Sequence, residues 1–402
     1  GVTQGIFALE SAINQLADKL NIDPAELREK NMIREGQANP ILSGSRPGKP
    51  AVLASSALDR CIEKGKELIG WKDKYPRVEM GDNKVRAVGM AITMQGSGIA
   101  GIDTASVVIK LNEEGFYTLL SSTTDMGQGS DTILAQMAAE VLETTMDKII
   151  VYTADTDVIP YDTGSYASST TYVTGNATIK AAEDMRRQII EAGAGFMGVA
   201  VEEVEFDGNT VRTTSDDAEI KAITLDEIAH RLTMTMGDGK TQLIATGSFG
   251  GDTSPPPFIA GFAEVEVDKL TGKLELIDYV AVIDCGTVIN ANLARIQAEG
   301  GLVQGIGMAM FEDVKYSSKG KMETNNFMQY KIPCRKDIQS ITVAFESSYE
   351  PTGPFGAKSI GEVVINTPPP AIAHAVYNAV GVHVRSLPIT PEKVLLGCST
   401  KL

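Results

Sequence analysis

The hydrophobic pattern changes period along the chain, and the change divides it. Over residues 5–20, Ile6, Leu9, Ile13, Leu16 and Leu20 recur at intervals of three and four, which predicts an amphipathic helix. Asn21-Ile22 interrupts it. Asp23-Pro24-Ala25-Glu26 then opens a second helix, with Asp as cap, Pro at the first helical position and Glu at the third. Residues 36–51 hold Asn39-Pro40, Gly44-Ser45, Pro47-Gly48 and Pro50 and read as a linker, followed by a helix over about 56–70 that ends at Gly70-Trp71. From Val85 the pattern changes to that of strands. Strands are predicted at 85–92, 105–111 and 116–121, with Asn112-Glu113-Glu114-Gly115 as a turn.

Helices and strands then alternate. A helix carries Ile133, Met137, Ala138 and Val141, a strand covers 149–152, and a second helix carries Ile179, Ala182, Met185 and Ile189. A hairpin at 204–211 precedes strands at 262–267 and 274–283. A glycine-rich helix around 297–307 and a last helix near 368–380 complete the series. The glycines of the former each cost about 1 kcal/mol against Ala, so close backbone or ligand approach is expected there. The alternation occurs twice, at about 84–230 and 240–402. The expected fold is α/β (α+β), with two similar mixed sheet-and-helix subdomains sharing one ligand crevice.

Composition narrows the partners more than the fold. With 402 residues, 43% hydrophobic and 22% charged, the chain can bury two or three packed units. The formal charge of −16 argues against nucleic acid or an anionic membrane as partner. It leaves room for an anionic cofactor held by backbone N–H groups. No apolar run approaches the ~18 residues of a membrane span and no signal peptide opens the chain, so a cytoplasmic protein is expected. The sequence starts at Gly1 and reads as the continuation of something longer. Cys61, Cys285, Cys334 and Cys398 are far apart, and His230, His374 and His383 form no H-x-x-x-H pair. A metal cluster held by these side chains alone is not expected, and the thiols read as buried and reduced.

Four stretches could carry chemistry. Gly96-Ser97-Gly98-Ile99-Ala100-Gly101 fits G-x-G-x-x-G formally, but β-branched residues follow instead of a helix, which argues against a dinucleotide site. Asp125-Met126-Gly127-Gln128-Gly129-Ser130-Asp131-Thr132 feeds a helix N-terminus, either as a seat for phosphate or as a well-capped helix and nothing more. Gly164-Ser165-Tyr166-Ala167-Ser168-Ser169-Thr170-Thr171 is a small residue or an aliphatic alcohol at seven of eight positions, which suits a polar ligand or a plain loop. Gly353-Pro354-Phe355-Gly356-Ala357-Lys358-Ser359-Ile360-Gly361-Glu362 ends in a carboxylate followed by Val363, Val364 and Ile365. A carboxylate delivered by a stiff loop into apolar surroundings is what a general base near neutral pH needs. Read without its neighbours, Glu362 is more often an ordinary surface carboxylate or a helix-start residue, because Glu is usually solvated.

Taken in order, Asp-Met-Gly-Gln-Gly (125–129), the hydroxyl run with Thr-Gly-Asn-Ala (164–177), Asp-Cys-Gly with Gln-x-x-Gly-Gly-x-x-Gln-Gly (284–305) and Gly-x-x-Gly-Ala-Lys-Ser-x-Gly-Glu (353–362) form a set. This set resembles the molybdenum-binding part of the xanthine oxidase family of molybdenum hydroxylases. The resemblance implies two halves enclosing a molybdenum-molybdopterin cofactor, as its cytosine dinucleotide, with a sulfido or selenido ligand and no metal ligand from the protein. Residues 1–36 are then the helical tail of a first half, 37–80 a linker with a helix, and 81–402 the second half, with subdomains at about 81–235 and 240–402. The split is similar to that of the medium molybdenum subunit of clostridial nicotinate dehydrogenase.

By position, the resemblance assigns Gly127, Gln128 and Gly129 to the pterin or dinucleotide phosphates. It assigns Ala167, Ser168, Ser169, Thr170 and Thr171 to the pyrophosphate and pterin, Gln297 to a place near the metal, and Lys358, Ser359 and Gly361 to the cofactor loop. Glu362 becomes the base that activates the attacking oxygen. Asn290-Ala291, Thr3-Gln4 and Val363 depart from the family's usual Asn-Pro, Pro-Gln and Pro after Glu. The implied partners are the other molybdopterin-binding subunit, a 2Fe–2S subunit and an FAD subunit, with a small-molecule substrate. The implied reaction is hydroxylation of an N-heterocycle with water as oxygen source. An aldehyde oxidoreductase, a hydroxybenzoyl-CoA reductase-type subunit and a non-catalytic scaffold half are the alternatives.

Overall fold

The computed structural model describes residues 1–39, 51–214, 220–234 and 240–399. The Gly/Pro/Ser-rich stretch expected to be a linker lies mostly outside them. The described residues form two compact units, each assembled from separated stretches. The first takes Gly1–Gln95, Pro256–Pro351 and Ile360–Leu402; the second takes Gly96–Pro255 and Thr352–Ser359. This differs from the contiguous subdomains expected from the alternation. The reason lies in sheet pairing: strand Phe258–Asp268 inserts between Lys84–Met94 and Leu274–Asp284, antiparallel to both.

The sheet of the first unit runs Arg77–Gly81, Lys84–Met94, Phe258–Asp268, Leu274–Asp284, Ile341–Phe345, and only its last pair is parallel. Alternate side chains go to opposite faces. Val85, Ala87, Ala91, Ile259 and Ala263 meet the helices Ala291–Met310 and Pro368–Val380, while Val88, Met90, Phe262 and Val280 meet helix Leu58–Ile69 and Trp71. Cover on both faces explains why these strands read as nearly continuous apolar runs. The three prolines 368–370 lie in the first turn of their helix, where no N–H is needed.

Helix Val2–Leu20 corrects the simplest reading of its period. It buries Glu10, Asn14 and Ala17 and turns Leu9, Leu16 and Leu20 outward. The polar side is drawn in by Arg28 on helix Pro24–Asn31, which donates to Glu10 Oε2 at 2.7 Å and to Asn14 Oδ1 at 2.8 Å. The Ile92 N–H also donates to Glu10, at 2.8 Å. The expected cap on the second helix is present: the Asp23 carboxylate accepts from Ala25 and Glu26 N–H.

The second unit has a sheet ordered Ile149–Thr153, Tyr117–Ser121, Thr104–Leu111, Ile244–Gly250. Its inward residues Ala105, Val107, Ile109 and Leu119 pack on helices Ser130–Val141 and Gly175–Met197. Gly247 brings strand and helix together, since a Cβ there would lie 2.1 Å from the Ala177 carbonyl oxygen. The hairpin expected at 204–211 belongs to a small three-stranded sheet of Val204–Phe206, Thr210–Thr213 and Ala222–Thr224. Cys61 and Cys285 are buried thiols; Cys334 is exposed and Cys398 half-buried, so the expectation of buried thiols fails for Cys334.

Candidate cofactor-binding site

In the second unit three of the singled-out loops meet. Loop 125–129 shapes itself: the Asp125 carboxylate accepts from Gly127 N–H at 2.8 Å, Gly129 N–H at 3.4 Å and Asp131 N–H at 3.3 Å. Gln128 folds back likewise, donating to the Thr124 carbonyl at 2.8 Å and accepting from Met126 N–H. The N–H groups expected to greet a phosphate at the start of helix Ser130–Val141 therefore face a resident carboxylate. Asp131 keeps one buried oxygen, Oδ1, without a partner, and burial followed by the Asp125 charge holds its carboxyl above the usual range.

The hydroxyl loop is built differently. Ala167 and Ser168 both adopt positive φ, 50° and 57°, an uncommon and costly conformation for residues with a Cβ. The chain then enters a π-helical turn, Thr170–Thr174, that continues into Gly175–Met197, and its start has no side-chain cap. π-turns concentrate at functional sites, and the first N–H groups of a helix have no acceptor within it. Thr170 and Thr171 supply those N–H groups. Of the two helix starts expected to seat phosphate, this is the one whose own side chains leave it uncapped.

Hydrogen bonds tie the loops together. Thr124 N–H donates to Ser165 Oγ at 3.0 Å, joining the first loop to the second. The Ser359 hydroxyl donates to the Ser168 carbonyl, and Ser359 N–H donates to Ser97 Oγ at 3.0 Å, joining the third. Tyr172 OH donates to Thr352 Oγ1 at 2.9 Å, and Asn176 Nδ2 donates to the Thr352 carbonyl at 3.1 Å. Lys358 and Ser359 are both buried. Gly353 allows the turn, because a Cβ there would lie 2.0 Å from the Ala357 carbonyl oxygen.

The first unit holds the other set. Gln297, on helix Ala291–Met310, donates from Nε2 to the Gly361 carbonyl at 2.8 Å, one residue before Glu362. Glu362 stands at the N-cap position of the short turn Val363–Ile365 without a side-chain capping hydrogen bond, and Val363 and Val364 are buried. Glu362 itself is exposed. The expected apolar surroundings therefore belong to the two residues after it, and the helix-start reading of this residue is correct as far as it goes. Gly301 and Gly305 press on this turn: a Cβ would lie 2.3 Å from Val364 Cγ2 and 2.6 Å from the Ile365 carbonyl oxygen, respectively.

Sequence reasoning passed over the segment 96–103. A strand follows it, Thr104–Leu111, as argued against a dinucleotide site. It nonetheless belongs to the loop cluster: Gly98 N–H donates to the Ala167 carbonyl at 2.9 Å, and Ser254 Oγ donates to the Gly98 carbonyl at 2.6 Å. Asp103, buried, accepts from Ile99 N–H at 2.7 Å. The available signal was a pair of glycines around a serine between two strands, which marks close backbone approach as well as nucleotide binding.

Comparison with known proteins gives this geometry a family. Residues 64–339 match the profile of a molybdopterin cofactor-binding domain, and residues 1–32 match that of another domain with the same description. The chain is 37% identical over 401 residues to the probable hypoxanthine oxidase XdhD of Escherichia coli K12, covering 98% of this chain and 41% of that protein. It is 32% identical over 403 residues to the putative xanthine dehydrogenase molybdenum-binding subunit XdhA of the same strain, covering 98% and 52%. Quinoline 2-oxidoreductase from Pseudomonas putida 86 shares the fold, with a TM-score of 0.86 at 24% identity over 99% of this chain and 52% of that one. The chain thus spans about half the length of the relatives it matches. With a profile match over most of its length and relatives above 30% identity along nearly all of it, the chain belongs to the molybdopterin cofactor-binding domain family.

Proposed function

We propose that this chain is the second molybdopterin-binding half of a multi-subunit molybdenum hydroxylase that hydroxylates an N-heterocycle, using water as the oxygen source. The observation that carries the reading is the joining of loops 124–129, 164–171 and 352–359 around an uncapped helix start at Thr170. Such a start suits an anionic cofactor in a chain of net charge −16, because backbone N–H groups hold phosphate without basic side chains. Thr170, Thr171, Ser168 and Ser169 would hold the pyrophosphate of a cytosine dinucleotide form, with Gly127, Gln128 and Gly129 beside the pterin. Lys358, Ser359 and Gly361 continue the cradle. The names of the two relatives favour a purine among N-heterocycles.

When bound, the molybdenum cofactor supplies the two-electron redox chemistry, and electrons leave through 2Fe–2S and FAD subunits. The protein's part is positional and acid–base. Glu362 follows Ser359 by three residues in the sequence. Gln297 fixes the Gly361 carbonyl and thereby the backbone that aims Glu362. Glu362 takes the proton from the water-derived oxygen that attacks the electron-poor ring carbon. As Glu362 is exposed on this chain, its desolvation falls to the substrate and the first cofactor-binding half. The test is Glu362→Gln in the purified complex: kcat should fall about 10²–10⁴-fold with molybdenum and pterin content unchanged. A variant that keeps most of its turnover, or a wild-type complex free of molybdenum, overturns the reading.

A further inference from the structure

The outward side of helix Val2–Leu20 has an organisation that the fold of the first unit does not use. Val2, Ile6, Leu9, Ile13, Leu16 and Leu20 follow a strict 4-3-4-3-4 spacing, which keeps six aliphatic side chains on one narrow stripe. Val2, Leu9, Leu16 and Leu20 are 45%, 55%, 48% and 51% exposed, while the same helix buries Glu10 and Asn14 on its inner side. A helix that hides its carboxylate and shows its leucines is built for a second apolar surface.

We infer that this stripe is the docking face for the body of the first molybdopterin cofactor-binding domain. Residues 1–32, which contain the whole stripe, match a cofactor-binding domain profile separate from the one matching 64–339. A module of that length is too small to close a core of its own. Relatives that align along 98% of this chain are about twice its length or more. The body of the first domain therefore lies outside these residues, whichever polypeptide carries it, and its tail is this helix. The inner side, clamped through Arg28 and the Ile92 N–H, fixes the helix on the first unit and leaves the seam facing out. The inference rests on the family assignment and on the two-half reading above.

The test is photo-crosslinking in the intact complex, with benzoylphenylalanine placed at Leu9, at Leu16 or, as control, at the exposed Ala8 on another side of the helix. Adducts to the first cofactor-binding domain are expected at positions 9 and 16, at least tenfold above position 8. Adducts to residues 2–20 of a second copy of this chain, or equal yields at all three positions, overturn the inference. As a second arm, Leu9→Glu with Leu16→Glu should release the chain from the complex on size exclusion, or lower its melting temperature where both halves share one polypeptide. Circular dichroism checks that the helix remains, and Ala8→Glu should do neither. Unchanged assembly and melting in the double variant count against the inference. Neither readout needs molybdenum or turnover. A molybdenum-free complex that still crosslinks at 9 and 16 removes the functional reading and leaves the docking face standing.

Discussion

Adjacent glycines on helix Ala291–Met310 give opposite expectations for the same substitution. Gly300 is exposed, and a Cβ there meets nothing within 4 Å. Gly300→Ala should therefore gain the full helix-propensity difference, about 0.8–1.0 kcal/mol. Gly301→Ala gains the same amount but sets its Cβ 2.3 Å from Val364 Cγ2 and 3.3 Å from Val364 Cβ. Ordinary contact begins near 3.4 Å, so the turn Val363–Ile365 must move by about 1 Å, an overpacking cost of about 1–3 kcal/mol. The propensity term cancels between the two variants, leaving Gly301→Ala less stable than Gly300→Ala by about 1–3 kcal/mol, or on the order of 5 °C in melting temperature. That turn begins at Glu362. A displacement of about 1 Å in a group that must meet a reacting atom costs up to about 10²-fold in rate. Differential scanning calorimetry and steady-state kinetics on the assembled complex, with molybdenum content measured, read both effects. Equal melting temperatures for the two variants, or undiminished kcat for Gly301→Ala, would refute the argument that Gly301 sets the position of the Glu362 turn.

Three further outcomes follow from buried polar groups. Burial, reinforced by the nearby Arg28 charge, pushes the His374 imidazole down to about 3, and Met90 N–H donates to its Nδ1 at 3.1 Å. Its folded pKa lies below the unfolded value of about 6.5, so this contribution is intact above pH 6.5 and is lost as pH falls towards 3. Between pH 6.5 and 5 that amounts to about 2 kcal/mol, and urea midpoints should fall more steeply for the wild type than for His374→Asn; parallel profiles refute it. Glu10→Ala strands the buried Arg28 guanidinium and should cost about 3–5 kcal/mol, whereas Glu10→Leu with Arg28→Met should recover only part of it in the same unfolding assay, because Ile92 N–H and Asn14 each lose a partner. Ser359→Ala removes the hydroxyl that donates to the Ser168 carbonyl and should cost about 1–3 kcal/mol locally. Pterin released by desalting should rise several-fold, and unchanged retention counts against a role for that link in holding the cofactor.

The pairing of units shows where local pattern stops informing. Apolar patterning located strands 84–94, 104–111 and 274–284 closely, the first and last as nearly continuous runs covered on both faces and 104–111 by alternation with one face buried. It did not indicate that strand Phe258–Asp268 would pair across more than 160 residues with Lys84–Met94, since no local signal encodes a partner. The half-buried edge strand Ile341–Phe345 and the strand Ile244–Gly250, interrupted by glycines, gave too little contrast to stand out. Of the four glycines on helix Ala291–Met310, Gly301, Gly305 and Gly307 are tight against neighbouring atoms, as expected, and Gly300 is open.

At the site, residue types indicated which loops carry the chemistry but not how each is satisfied. A glycine loop before a helix reads the same whether its N–H groups await an anion or bind one already present, and Asp125 is that anion here. The loop 164–171 read either as a seat for a polar ligand or as a plain loop, because hydroxyls are common in both. Its distinguishing feature is conformational, two consecutive positive φ values ahead of a π-turn, and no composition reveals that. The helix Val2–Leu20 makes the same point from the opposite direction. Its 3-4 period correctly groups the aliphatic side chains on one face. Which face turns inward was decided by Arg28, eighteen positions beyond Glu10, whose guanidinium needs the two polar side chains more than the first unit needs the leucines. Periodicity states which residues share a side. The demand of a buried charge for its partners determines which side the protein keeps for itself and which it offers to another surface.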